Sequence, residues 1–106
     1  MITMSRQVKY LPLALQDLEQ ITVYISNVLK APKAALDFIN AFDRAISQLQ
    51  QFPYSGKIYR ASQKLDKVYR VISVKSYLVF YDVTENEVEI CRVIYARMRL
   101  DSILTK

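Results

Sequence analysis

The 106-residue sequence predicts one α+β domain, residues 1–106, with an N-terminal strand and an antiparallel helical hairpin packed on a mostly antiparallel sheet. A C-terminal three-stranded meander completes that sheet. Three observations predict it. Apolar residues recur at three- and four-residue spacing as far as Phe52-Pro53. Beyond them lie three β-branched and aromatic runs, "KVYRVISV", "YLVFYDV" and "EVEICRVIYAR". The gaps between these runs, "KS" and "TEN", have hairpin length, so the strands are expected to be antiparallel neighbours.

Taken in order, "RQVKYL" (Arg6 to Leu11) reads as a short strand, closed by Pro12 as the first residue of a helix. Leu11, Leu15, Leu18, Ile21 or Thr22, Ile25 and Val28 form one apolar stripe, which predicts a helix from about Pro12 to Leu29. "KAPKA" interrupts it. Pro32 opens a second helix, with Ala35, Phe38, Ile39, Phe42, Ile46 and Leu49 as its stripe. Two helices joined by a short turn form a hairpin, and both stripes need a further layer to pack on. Tyr54 to Asp66 holds the only glycine and reads as a loop, with a short extended piece around Lys57 to Arg60.

Composition narrows the function classes. With 52% hydrophobic residues, one Gly and three Pro, neither disorder nor repeats are expected. The lone Cys91 cannot form an intramolecular disulfide, which fits a reducing cytoplasm. The chain has no histidine, so Ser-His-Asp and Cys-His catalysis and a Cys/His zinc site are excluded, and no metal or other cofactor is expected. Gly56 alone builds no phosphate-binding loop. The start "MITMSRQVKYL" lacks the apolar core of a secretion signal, and "YLVFY" is far too short to span a bilayer; a cytoplasmic protein with no membrane partner is expected.

Net charge is +5, and the window from Lys57 to Phe80 alone reaches +5: Lys57, Arg60, Lys64, Lys67, Arg70 and Lys75 stand against Asp66. A localised basic field favours nucleic acid or an acidic protein segment, although it also serves solubility. Arg70 and Arg92 lie in strand-like runs, flanked two residues away by Val68 and Ile72, and by Ile90 and Ile94. Under strict alternation both share a face with hydrophobic residues. Two readings stand: apolar stems and a carboxylate partner such as Asp82, or an arginine fork for phosphate on a sheet face that the hairpin leaves partly uncovered. Tyr77, Tyr81 and Tyr95 interleave with these charges, and aromatics among cations can brace an anion or stack bases.

The order of elements, together with "VYRVISVKSYLVFYDV" leading into "VEICRVIYARMRL", resembles the RelE/ParE superfamily of bacterial toxins, found in type II toxin–antitoxin and plasmid-stabilisation operons. The resemblance implies a RelE/ParE-like fold, a growth-inhibiting toxin and a cognate antitoxin whose binding segment is commonly acidic. RelE-like toxins are metal-independent endoribonucleases that cut mRNA on the ribosome; ParE-like toxins poison DNA gyrase. On the ribonuclease branch Arg70, Arg92 and Tyr95 would be catalytic. On either branch Lys67, Lys75, Tyr77, Tyr81, Arg97 and Arg99 would contact the target or nucleic acid. This chain has Leu78 where the ribonucleases usually carry a further arginine, and Tyr95 near a position where several use histidine. Those departures, the long hairpin and the "RMRL" ending resemble the gyrase-directed branch more closely.

Overall fold

In the computed structural model the described residues are 6–60 and 68–97. β1 (Gln7–Tyr10) leads through Leu11 into α1 (Pro12–Val23), a π-helical turn (Tyr24–Val28) and α2 (Pro32–Gln51). A single 3-10 turn (Pro53–Ser55) then opens into β2 (Lys57–Arg60), β3 (Val68–Val74), β4 (Tyr77–Val83) and β5 (Glu87–Tyr95). The sheet runs β1-β5-β4-β3-β2, antiparallel except where β1 lies parallel to β5. The expected α+β architecture and meander are present, and the extended piece at Lys57–Arg60 is a fifth, edge strand.

Both helices begin on proline, whose missing N–H falls where a helix has no internal acceptor to bond. Of its expected stripe α2 buries Ala35, Phe38, Phe42, Ile46 and Leu49 in one core with Val74, Val79 and Tyr81 of the sheet, while Ile39, also expected in the stripe, is exposed. Each fully buried large side chain there contributes roughly 1.5–3 kcal/mol of transfer free energy. Phe38 of that stripe is fully core. The opposite sheet face carries a smaller cluster, Phe80 and Ile94, with the Tyr59 and Tyr69 rings edge-on to Phe80.

α1 departs from expectation twice. Its buried residues are Ala14, Asp17 and Ile21, while Leu15 is exposed. The helix also widens after Val23 into the π turn, where the Leu29 N–H reaches back to the Tyr24 carbonyl at 3.0 Å. The wider turn keeps Ile25 in the core and leaves Tyr24, Val28 and Leu29 about half exposed. Lys30 then closes the turn with a φ of 52°.

A β-bulge breaks the alternation of β5. Tyr81 pairs with Ile90 but Phe80 pairs with Arg92, so Cys91 is the extra residue. Ile90 therefore joins the helix-side core and Ile94 the opposite cluster. Arg92 thus does not share a face with both Ile90 and Ile94, as strict alternation expects.

Candidate binding cleft

β1 stops at Tyr10, so the edge of β5 beyond Ile90 faces α1 instead of a strand. Asp17 fills that edge. Its Oδ2 accepts the Val93 backbone N–H at 2.9 Å, and the carboxylate takes a fork from Arg92: Nε to Oδ2 at 2.8 Å and Nη2 to Oδ1 at 3.0 Å. This hydrogen bonding, against the opposing pull of partial burial, raises the Arg92 pKa above its already high value. The partner is Asp17 across 75 residues of sequence, not Asp82, whose Oδ1 accepts its neighbour's Val83 N–H.

Beside this pair opens a cleft of about 850 Å³, walled by α1, the π turn, the start of α2, the β3–β4 hairpin and the end of β5. Its apolar lining includes Ile21, Tyr24, Leu29, Phe38, Tyr77 and Tyr95. The rings interlock edge to face, Phe38 on Tyr77 at 5.1 Å and Tyr77 on Tyr95 at 5.6 Å. With Arg92 and Asp17 cancelling each other, its formal charges are Lys75 and Asp37, one of each sign. Burial, reinforced by Tyr95 and Tyr24, pushes the Tyr77 phenol above its ordinary value. An apolar, neutral, aromatic hollow of this size suits a side-chain cluster from a partner better than a polyanion.

Lys75 stands at the lip, in the two-residue β3–β4 loop, with a φ of 55°. A non-glycine side chain there costs roughly 1–2 kcal/mol. The Ala96 N–H bonds the Ser76 carbonyl at 3.0 Å, tying the exit of β5 to the same loop, and Arg97 follows it, exposed. Four residues singled out in the sequence therefore meet in the cleft, Lys75, Tyr77, Arg92 and Tyr95, with Arg97 next to it.

Arg70 and Tyr81 do not join them. Arg70 pairs with Tyr81 and Tyr95 with Tyr77, so the two sites lie about 13 Å apart along β4, before the strand spacings are added. Arg70 Nη1 donates to the carbonyls of Gly56 (2.9 Å) and Tyr54 (3.2 Å). Tyr81 is fully buried; its hydroxyl donates to the Pro53 carbonyl at 2.8 Å and accepts the Gly56 N–H at 2.9 Å. It has no surface to offer a target and acts as a core tyrosine that moors the α2–β2 connection. Gly56 is required there because a Cβ would stand 2.5 Å from the Tyr81 hydroxyl. Lys67 and Arg99 lie outside the described residues.

Sequence reasoning missed Asp17, Asp37 and Leu29. Asp17 carried a signal: Ala14, Asp17, Ile21 and Ile25 keep helical spacing, and a carboxylate inside such a series needs a cationic partner. Among the described residues no helix is long and apolar enough to cross a membrane.

A small α+β protein with a largely apolar cleft beside its sheet, and with the strand arginine at that cleft neutralised by Asp17, is the class that fold and site define. The chain belongs to the family described as the ParE toxin of the type II toxin-antitoxin system, parDE, whose sequence model matches residues 8–100. Among solved structures, a chain of the chromosomal ParDE TA system from P. aeruginosa is similar, with a TM-score of 0.69 and 22% identity over 88% of this chain and 98% of that one. That likeness shows a common fold. No curated protein sequence matches this chain.

Proposed function

We propose that this ParE-family toxin arrests growth by binding DNA gyrase, without cutting RNA, and that a cognate antitoxin silences it by occupying the cleft. The observation that carries the reading is that Arg70 stands apart from Tyr95 while Arg92, beside Tyr95 in the cleft, is neutralised by Asp17. Cleavage by 2′-OH attack needs a base and charge stabilisation around one phosphate. Here Arg92 is forked by Asp17, and Arg70 is bonded to carbonyls at the far end of β4 from Tyr95. Tyr77, the phenol next to Tyr95, has its pKa raised, which moves it away from service as a base.

The similarity to a ParDE system supports an antitoxin partner. The cleft's balance of charge favours an apolar stretch for its filling, with acidic residues outside it to meet Lys75 and Arg97. The test is to add the purified chain to mRNA-programmed ribosomes and map RNA 5′ ends beside an Arg70→Ala, Arg92→Ala variant. No codon-phased cuts are expected. Cuts made by the unaltered chain and lost in a folded variant would replace this reading with the ribonuclease.

A further inference from the structure

Away from the cleft, three parts of the chain converge on one ring. The Arg6 guanidinium lies 5.6 Å from the centroid of Tyr54, and that of Arg70 lies 5.0 Å from it. Arg6 enters from the residue before β1, Tyr54 from the 3-10 turn and Arg70 from β3. Each guanidinium is anchored by neutral groups: Arg6 Nε on the Thr84 carbonyl at 3.2 Å, Arg70 Nη1 on the carbonyls of Gly56 and Tyr54. Among the described residues, neither has a carboxylate within ion-pair distance, in contrast to Arg92.

Two like charges are thus held close together without compensation. Both lie within 5.6 Å of one centroid, so their carbons are at most about 11 Å apart, and each interacts with the ring at cation–π range. Anchoring through one edge leaves Arg6 both Nη atoms, and Arg70 its Nε and Nη2, with no hydrogen bond to another described residue. Tyr54 itself is 58% exposed, so the assembly stands at the surface. A guanidinium fork is shaped for two oxygens of one oxyanion. A single acidic side chain satisfies one fork; two forks within about 11 Å of each other suit a repeating polyanion, of which the phosphodiester backbone is the common form.

We propose that Arg6 and Arg70, braced on Tyr54, form a phosphate clamp through which the toxin itself holds the backbone of duplex DNA, independently of base sequence. The clamp lies apart from the cleft, so an antitoxin seated there would leave it unoccupied.

The test is fluorescence anisotropy of a labelled duplex with the purified chain across salt concentrations, in the absence of gyrase, so the result is separate from the question of target. Each phosphate contact adds about 0.9 to the slope of log affinity against log salt. Arg6→Gln with Arg70→Gln is expected to lower the slope by about 2 and the affinity at low salt roughly tenfold. Lys33→Gln with Arg44→Gln, exposed positions on α2 with the same charge change, should leave the slope nearly as it was. If removing Arg70 unfolds the chain, Arg6→Gln alone carries the test with a slope change of about 1. Equal losses in both double variants would reduce the effect to net charge and overturn the clamp. Binding of inorganic phosphate without duplex binding would assign the site to a free anion and overturn the DNA assignment.

Discussion

Replacing Asp17 by Ala tests the contact that separates a docking protein from an arginine-armed nuclease. Asp17 accepts three hydrogen bonds, two from Arg92 and one from the Val93 N–H. Its side chain is 11% exposed and that of Arg92 24%. Removing one partner of a buried ion pair costs about 3–5 kcal/mol, and water reaching Arg92 brings the expected loss down to about 2–3 kcal/mol. For a domain of this size each kcal/mol lowers Tm by about 4–8 °C, so a fall of roughly 10–20 °C is expected. The chain has no tryptophan, which makes circular dichroism in urea the practical assay. Adding Arg92→Met to Asp17→Ala removes the stranded charge and should recover at least about 1 kcal/mol relative to the sum of the single changes. A loss below about 0.5 kcal/mol, with additive single changes, would refute the reasoning, because Arg92 would then be uncommitted and free to bind phosphate.

Tyr81→Phe strands the Gly56 N–H and the Pro53 carbonyl and should cost about 1–3 kcal/mol in urea melts. Burial raises the Tyr81, Tyr77 and Tyr10 phenols above their usual value near 10, so their stabilising effect is complete below that pH and is lost as pH rises through the higher folded values. Stability should therefore hold to about pH 10 and fall above it, less steeply in Tyr81→Phe, as urea midpoints against pH would show. Lys75→Gly relieves the positive φ and should stabilise the fold by about 1 kcal/mol while weakening toxicity in a growth assay. Tyr24→Ala with Leu29→Ser, both half exposed at the cleft, should leave Tm nearly unchanged and weaken antitoxin binding roughly thirtyfold, or about 2 kcal/mol, by calorimetry.

The meander and α2 were legible because each reports its own period: β-branched and aromatic runs end at "KS" and "TEN", and the α2 stripe faces a single sheet. α1 was not, because it lies along the sheet edge, where its buried side carries a carboxylate. Leu15 then reads as core from spacing alone while Asp17 holds the buried position. The bulge at Cys91 is also silent in sequence, and one inserted residue moves Arg92 and Ile94 off the face that alternation assigns them. For the site, the cationic and aromatic residue types at Lys75, Tyr77, Arg92 and Tyr95 were visible, and the cleft does gather them. Which charge is neutralised was not, since that depends on Asp17, a carboxylate 75 residues from Arg92, whereas Arg70 meets only neutral carbonyls.

The most direct test of the central claim is to incubate purified gyrase, supercoiled plasmid and ATP with the toxin, trap the complexes with detergent and protease, and measure linear DNA. Toxin-dependent accumulation of linear plasmid, suppressed by prior addition of the antitoxin, is the expected result. No linear DNA from protein that arrests growth on expression would contradict the account.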